Sequence, residues 1–218
     1  TWIGEGSPAS LYIRALVKPR PDLIYAGGAF TTIGGASAKY LAQWNGVGWS
    51  ELGGGTNGYV NALALDGNKL YVGGEFTQVG GGTPAKYIAM WDGVYWNALG
   101  QGLDGYVRAL AVDGSGNLYA AGEFNYAGSL FVGHIARWDG SQWHALGSGL
   151  CCSKYVETLT FDGDGRLYVG GYFGYAGDLR VNGVAMWNGL EWSALGSGMN
   201  DGVGSLVVDA NGYLYAGG

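Results

Sequence analysis

Short stretches of alternating apolar and polar residues run the length of the chain, and glycine-rich turns separate them. One apolar stretch recurs as I-Y-A-G-G-A-F, L-Y-V-G-G-E-F, L-Y-A-A-G-E-F, L-Y-V-G-G-Y-F and L-Y-A-G-G. Its tyrosines, spaced 46 to 49 residues apart, are Tyr25, Tyr71, Tyr119, Tyr168 and Tyr215. Short alternating stretches are typical of half-buried strands, and no stretch has a helical period. The sequence therefore predicts an all-β chain built from repeats of about 47 residues.

A second marker, W-[ND]-G-x-x-W, has the same period and phase and begins at Trp44, Trp91, Trp138 and Trp187. Each repeat predicts four strands, with the patterns V-x-A-L-x-x-D, L-Y-x-G-G, I-A-x-W and W-x-x-L-G. The Asn-Gly and Asp-Gly dipeptides between the last two strands are strong hairpin signals. Four-stranded units of this length are typical of β-propeller blades, in which we expect the paired tryptophans and the glycine doublets to pack one blade against the next.

Residues 1–218 are predicted to form a single β-propeller domain, most simply with five blades of which the fifth is incomplete. The predicted blades span about 11–55, 59–102, 106–149 and 155–198, with a partial fifth formed by 203–218 plus 1–6. In such a ring, Trp2-Ile3-Gly4 shares a blade with Leu214-Tyr215-Ala216, separated by a vacant strand position. A larger ring in a longer chain remains an alternative.

Composition and charge narrow the possible functions. The 218 residues include 45 glycines, are 48% hydrophobic and carry a net charge of −6, so no basic surface for nucleic acid is expected. No apolar run reaches the roughly 18 residues of a membrane span. His134 and His144 lack neighbouring ligands at metal-site spacing, and the loops from Asp113 and Asp162 lack the glutamate that closes an EF-hand. We therefore expect no metal, no cofactor and no enzymatic activity.

The glycine doublets Gly27-Gly28, Gly73-Gly74 and Gly170-Gly171, each followed by a tryptophan further along, resemble those of kelch-type repeats. The fuller string G-G-x-F…I-A-x-W-[ND]-G-x-x-W-x-x-L-G-x-G resembles the kelch-like repeats of large bacterial secreted proteins. It is also similar to the extracellular region of the fungal cortical polarity-marker family. The third doublet departs from the pattern as Ala121-Gly122, and phenylalanines stand where kelch repeats place a tyrosine further on. The resemblance implies a propeller located outside the cell or on its surface, but no particular activity.

The loops between second and third strands, and the crossings into each first strand, vary most between repeats and would share one face of a propeller. Variable loops on a rigid scaffold are where binding usually occurs. The candidate ligand-binding residues at the crossings are Tyr12, Arg14, Tyr59, Asn61, Tyr106, Arg108, Tyr155 and Glu157. Tyrosines with mixed polar groups suit a glycan or a peptide, whereas the alternative is that these tyrosines seal the seams between blades.

Three functions follow from these features, in decreasing order of preference. The first is a non-enzymatic binding module for a glycan or a protein on a secreted or cell-surface protein. The second is a structural repeat of a surface fibre that contacts neighbouring modules, and the third is an enzyme of unknown class. Adjacent Cys151 and Cys152 favour an exposed vicinal disulfide, whereas a free pair would suit a reducing compartment.

Overall fold

The computed structural model of the chain describes residues 12–152 and 155–218. Within these ranges every regular element is a β-strand, and no helix is long and apolar enough to cross a membrane. The described residues fall into two compact units, which divide between Gly102 and Leu103. The prediction that residues 1–218 form one domain stays a prediction.

The first unit contains two four-stranded antiparallel sheets, which correspond to predicted blades 1 and 2. Its strands are β1 (Ile13–Arg20), β2 (Leu23–Gly28), β3 (Thr32–Ile33), β4 (Ala36–Ser37), β5 (Leu41–Trp44), β6 (Trp49–Glu51), β7 (Val60–Asp66), β8 (Lys69–Gly74), β9 (Gln78–Val79), β10 (Thr83–Pro84), β11 (Ile88–Trp91) and β12 (Trp96–Ala98). Blade 1 has the order β1-β2-β5-β6 and blade 2 the order β7-β8-β11-β12, so each blade is a meander. A buried apolar cluster joins the two sheets, with Leu41 and Leu52 from blade 1 against Val60 and Val72 from blade 2.

The second unit repeats this plan in predicted blades 3 and 4 and adds one further strand pair. Its strands are β13 (Val107–Val112), β14 (Leu118–Gly122), β15 (Tyr126–Ala127), β16 (Leu130–Phe131), β17 (Ile135–Trp138), β18 (Trp143–Ala145), β19 (Leu150–Cys151), β20 (Tyr155–Phe161), β21 (Leu167–Tyr172), β22 (Tyr175–Ala176), β23 (Leu179–Arg180), β24 (Val184–Trp187), β25 (Trp192–Ala194), β26 (Ser205–Val208) and β27 (Leu214–Gly217). Blade 3 has the order β13-β14-β17-β18 and blade 4 the order β20-β21-β24-β25. The pair β26-β27 corresponds to the first two strands predicted for a fifth blade.

The tight hairpins between third and fourth strands form at the Asn-Gly and Asp-Gly dipeptides. In blade 2, the Asp92 carboxylate accepts hydrogen bonds from the Val94 and Tyr95 N–H groups at 2.8 and 2.7 Å. This turn pairs Trp91 with Trp96 across the two strands, and their ring centroids lie 5.2 Å apart. The same pairing occurs in blades 1, 3 and 4. The predicted hairpins and their paired tryptophans are confirmed.

Tryptophans and glycines connect neighbouring blades within each unit. The indole N–H of Trp96 donates to the Gly53 carbonyl at 2.8 Å, and that of Trp192 donates to the Leu146 carbonyl at 3.0 Å. A Cβ at Gly27 would overlap the Val60 side chain, and one at Gly170 would lie 2.7 Å from the Val203 Cγ1. The first glycine of a doublet therefore permits close approach of the next blade.

The connections between second and third strands contain structure that the sequence patterns did not reveal. Each holds a two-residue antiparallel ladder, β3-β4, β9-β10, β15-β16 or β22-β23, where one long loop was expected. Glycines with positive φ close these ladders, for example Gly128 at 59° and Gly177 at 58°. The predicted strand at Trp2-Ile3-Gly4 lies outside the described residues, so the number of blades stays a prediction.

Candidate functional site

The candidate binding residues lie where each first strand begins, opposite the glycine doublet. The Tyr59 carbonyl accepts a hydrogen bond from the Glu75 N–H at 2.8 Å, and Tyr12 and Tyr106 make the equivalent bond in blades 1 and 3. A Cβ on the second glycine of the doublet would overlap this carbonyl, as Gly74 shows with Tyr59. The second glycine thus lets the start of the first strand lie directly against the end of the second.

A β-bulge follows each of these tyrosines. In blade 2, Val60 pairs with Gly74 and Ala62 pairs with Gly73, so the residue between them is left out of the ladder. The residues at this position are Arg14, Asn61, Arg108 and Glu157. A bulge bends the strand and re-aims one side chain without breaking the sheet. Four of the eight predicted site residues therefore occupy bulges, where their backbone is left out of the ladder.

In the first unit, Arg14 of blade 1 reaches across to blade 2. Its Nη1 donates to the Asn61 side-chain oxygen and to the Glu75 Oε1, the latter at 3.0 Å. Its guanidinium carbon lies 5.1 Å from the centroid of the Tyr59 ring, and the Tyr40 ring meets the same tyrosine edge-on at 5.5 Å. The bulge arginine thus joins a tyrosine, an amide and a carboxylate of the following blade.

The second unit repeats this arrangement with a different balance of charge. The Arg108 Nε donates to Glu123 at 2.7 Å and its Nη1 donates to Glu157 at 3.0 Å. Its guanidinium carbon lies 4.2 Å from the centroid of the Tyr155 ring. Burial disfavours the charged form of Arg108, but the hydrogen bond to Glu123 and the charges of both glutamates raise its pKa above the ordinary value. The guanidinium is therefore charged and faces two carboxylates.

These side chains are half-exposed rather than sealed. The exposed fractions are 37% for Tyr59, 42% for Tyr106 and 75% for Tyr12, whereas Tyr155 is half-buried and meets the Tyr172 ring at 5.0 Å. The last repeat has Gly202 at the tyrosine position, where a Cβ would overlap the Tyr172 ring. Each unit therefore brings together three of its four predicted residues, Arg14, Tyr59 and Asn61 in the first and Arg108, Tyr155 and Glu157 in the second. These side chains contribute to the seam and remain partly open to solvent.

Sequence reasoning missed three site residues, Glu75, Glu123 and Tyr40. Glu75 and Glu123 follow the glycine doublet in G-G-E-F, and this position changes between repeats to Ala29 and Tyr172. That variation was a usable signal, because it matches the variation at the bulges. Tyr40 was missed because nothing in its own sequence context indicates that its ring contacts Tyr59.

The structure has two free thiols in place of the predicted vicinal disulfide. The Sγ atoms of Cys151 and Cys152 lie 2.9 Å apart, well beyond the roughly 2.05 Å of an S–S bond. Cys151 pairs with Tyr175 in a short ladder, and Cys152 has a φ of 57°. Both side chains are exposed, and the hydrogen bond with Cys152 raises the pKa of the Cys151 thiol.

The acidic loops use their carboxylates on their own backbone. Asp113 accepts hydrogen bonds from the Ser115 and Asn117 N–H groups, both at 2.9 Å, and Asp162 does the same in blade 4. His144 lies 2.6 Å from Asp139, whereas burial lowers the pKa of His134. Among residues 12–152 and 155–218, no three histidine, cysteine or carboxylate side chains are grouped to hold a metal ion.

Comparison with known proteins identifies the overall fold of the chain. No protein-family model matches the chain, and no curated protein matches it in sequence. The structure is similar to the extracellular domain of BT4673 from B. thetaiotaomicron, with a TM-score of 0.65 and 13% identity over 99% of this chain and 26% of that one. It is similar to an ancestral GH74 enzyme, with a TM-score of 0.67 and 16% identity over 96% of this chain and 28% of that one. The chain has a β-propeller fold.

The propeller is also similar to the computationally designed Ika8 protein, with a TM-score of 0.56 and 15% identity over 94% of this chain and 70% of that one. It spans about a quarter of the length of the BT4673 domain and of the GH74 enzyme. The predicted all-β fold with four-stranded antiparallel blades is confirmed, whereas the resemblance to kelch-like repeats stays a prediction. Likeness at such low identity shows the fold alone, because one fold supports many functions.

Proposed function

We propose that this propeller is a non-enzymatic, extracellular binding module, which takes a glycan or a protein at its bulge residues and their tyrosines. The observation that supports this most is the recurrence of one arrangement in both units. Arg14 and Arg108 each reach from a bulge onto a tyrosine of the next blade, and both clusters stay half-exposed. A seam that only needed sealing would be served as well by apolar residues.

The charges of the two clusters define the kind of ligand that fits. Arg14 is paired with Glu75, so the first cluster is neutral, and Arg108 is paired with both Glu123 and Glu157, so the second has one excess negative charge. An anionic ligand would have to displace these carboxylates. Hydroxyl groups, amides and cationic side chains can instead bind the remaining oxygen atoms of the carboxylates and the tyrosine rings.

The non-enzymatic part of the proposal is supported by how the carboxylates are used. Glu123 and Glu157 both bind Arg108, rather than forming a pair in which one carboxyl stays protonated for acid catalysis. An extracellular location is supported by the likeness to the BT4673 domain, which is described as extracellular. The net charge of −6 argues against nucleic acid as the partner.

A structural module is the second candidate, and exposed apolar side chains at the tight hairpins favour it. Val47 and Leu190, each directly after an Asn-Gly dipeptide, are 89% and 88% exposed, and Tyr95 is 71% exposed. Isolated exposed apolar residues are common on protein surfaces, so this observation weighs less than the recurrent clusters. Contact with neighbouring modules at these turns is what this candidate predicts.

The test replaces one tyrosine of each unit. We expect Tyr59→Ala with Tyr155→Ala to weaken binding to immobilised glycans or to a captured protein partner at least tenfold, because these are the rings that Arg14 and Arg108 face. Tyr95→Ala removes an exposed tyrosine from a tight hairpin and serves as the matched control. If the double variant unfolds readily while a stabilised version binds normally, the tyrosines are seam packing and the proposed site is wrong.

A further inference from the structure

The first unit has an open cleft between blades 1 and 2, separate from the bulge residues. Its volume is about 430 Å³, within the roughly 300–1,000 Å³ that small-molecule sites occupy. The lining residues are Thr31, Lys39, Tyr40, Gly54, Thr56, Asn57, Gln78, Gly81 and Gly82. They come from the loop before β5, from the crossing into β7 and from the β9-β10 ladder.

A cleft recurs at the same repeat position in the second unit, with a volume of about 420 Å³. Asn182 and Gly183 line it where Lys39 and Tyr40 line the first cleft, because both pairs directly precede the third strand. Both clefts lie beside the residues that directly precede a third strand, in blades 1 and 4. The side chains at their walls, in contrast, are specific to each repeat.

Tyr40 is held in a backbone conformation that favours glycine. Its φ is 64°, its N–H donates to the Phe30 carbonyl at 2.9 Å, and its own carbonyl accepts from the Gly28 N–H at 3.0 Å. Gly183 makes the corresponding pair of hydrogen bonds in blade 4 with a φ of 83°. Tyr87 and His134 have φ values of 67° and 70° at the equivalent positions of blades 2 and 3, so this backbone conformation belongs to the repeat. What distinguishes Tyr40 is that it lines the cleft.

The polar groups of the first cleft differ in how far they are already used. The Asn57 oxygen accepts from the Thr77 and Gln78 N–H groups, and the Thr56 hydroxyl donates to the Gly58 carbonyl. The Lys39 ammonium and the Gln78 amide, in contrast, make no hydrogen bond or ion pair with any other residue that the structure describes. No carboxylate lines the cleft, although the nearby Glu51 accepts the Lys39 backbone N–H at 2.8 Å.

We propose that this cleft binds a short saccharide, with a preference for a carboxylated sugar over its neutral counterpart. The Tyr40 ring provides an apolar surface for a sugar ring, and the Gln78 amide bonds its hydroxyl groups. The Lys39 ammonium pairs with the sugar carboxylate, which no protein carboxylate in the cleft opposes. Gly81 and Gly82 leave the opposite wall open for the ligand, because a Cβ at either position would meet no atom within 4 Å. The proposal goes beyond the proposed function, because Lys39, Gln78, Gly81 and Gly82 take no part in the bulge clusters and only Tyr40, whose ring contacts Tyr59, belongs to both sites.

The experiment follows backbone amide signals of the isotope-labelled chain by NMR while glucose, N-acetylglucosamine or glucuronate is added to millimolar concentrations. We expect shifts at Asn57, Gly81 and Gly82, with glucuronate binding about threefold more tightly than glucose, the size of an exposed ion pair. Lys39→Ala should abolish that preference and leave glucose binding unchanged.

Tyr40→Gly should weaken binding of every sugar about tenfold, the loss of one aromatic contact. The matched control is Tyr87→Gly, because Tyr87 has a φ of 67° and the same two backbone hydrogen bonds but does not line this cleft. Thermal melting confirms that both variants fold. The absence of shifts with all three sugars, or equal effects of the two substitutions, would overturn the proposal. Tyr155 faces Arg108 and does not line this cleft, so Tyr155→Ala affects only the site under the proposed function and distinguishes the two failures.

Discussion

Close packing at the glycine doublet predicts the consequence of adding a single methyl group at Gly27. A Cβ there would overlap the Cγ1 of the fully buried Val60 and lie 3.0 Å from its Cβ and 3.5 Å from the Leu63 Cγ. Overpacking of this kind costs about 1–3 kcal/mol, partly offset by the roughly 0.4–1 kcal/mol gained when glycine is replaced. Ala121 stands at the equivalent position of blade 3 and packs in one cluster with Val156. We therefore expect Gly27→Ala to fold with a net loss of about 1–2 kcal/mol.

A double-mutant cycle measured by urea unfolding identifies the cause of that loss. Val60→Ala alone should cost about 2 kcal/mol, because it removes two buried methyl groups. With Gly27→Ala the combined loss should be smaller than the sum by about 1 kcal/mol, since the new methyl group occupies the space that Val60 vacates. Gly48→Ala is the control, because a Cβ there meets no atom within 4 Å, and it should be additive with Val60→Ala. If Gly27→Ala is neutral, or if its cycle with Val60→Ala is additive, close approach is not the reason for the glycine.

Two further predictions concern titratable groups. Burial by itself raises the pKa of Asp162. Hydrogen bonds from the Arg166 backbone and guanidinium and from the Tyr168 hydroxyl outweigh burial, so the pKa in the folded protein is below the ordinary value. The stability that this carboxylate contributes is present above pH ~3.9 and is lost as the pH falls through the folded pKa. Asp162→Asn should therefore flatten the acid side of the stability profile, and an unchanged profile would contradict this. Cys151 and Cys152 should both react with a thiol reagent in unreduced native protein, and Cys151 should need a higher pH than an ordinary cysteine because its pKa is raised. Protein that reacts only after reduction would contradict free thiols.

The repeat architecture was predictable because its signals are local. An Asp-Gly turn such as Asp92-Gly93 needs only positive φ at the glycine, which is 103° in the structure, and the flanking tryptophans then pair across the hairpin. The bulges were not predictable from alternation, because an extra residue in one strand appears only when that strand is paired with its neighbour. The residues at the bulges were nevertheless identified as candidates, since they vary while the surrounding pattern repeats.

The contacts of the candidate site could not be predicted from the sequence, because they join residues of different repeats. Arg14 bonds Glu75, which lies 61 residues further along the chain, and Arg108 bonds Glu157, which lies 49 residues further along. Which carboxylate an arginine reaches depends on the distance between two blades and on the rotamers at the seam. The positive φ of Tyr40 could not be predicted either. The equivalent position is tyrosine in two repeats, histidine in one and glycine in one, and only the glycine indicates a positive φ.

Because the bulge residue takes no part in strand pairing, its identity can change without altering the hydrogen-bond ladder beside it. Arg14, Asn61, Arg108 and Glu157 occupy this position in four sheets with the same register on either side. Substitution at this one position per repeat therefore changes the chemistry of the seam and leaves strand pairing intact. Two repeats can therefore differ at this side chain while their hydrogen-bond ladders stay the same. The bulge thus makes the identity of one side chain per repeat independent of strand register.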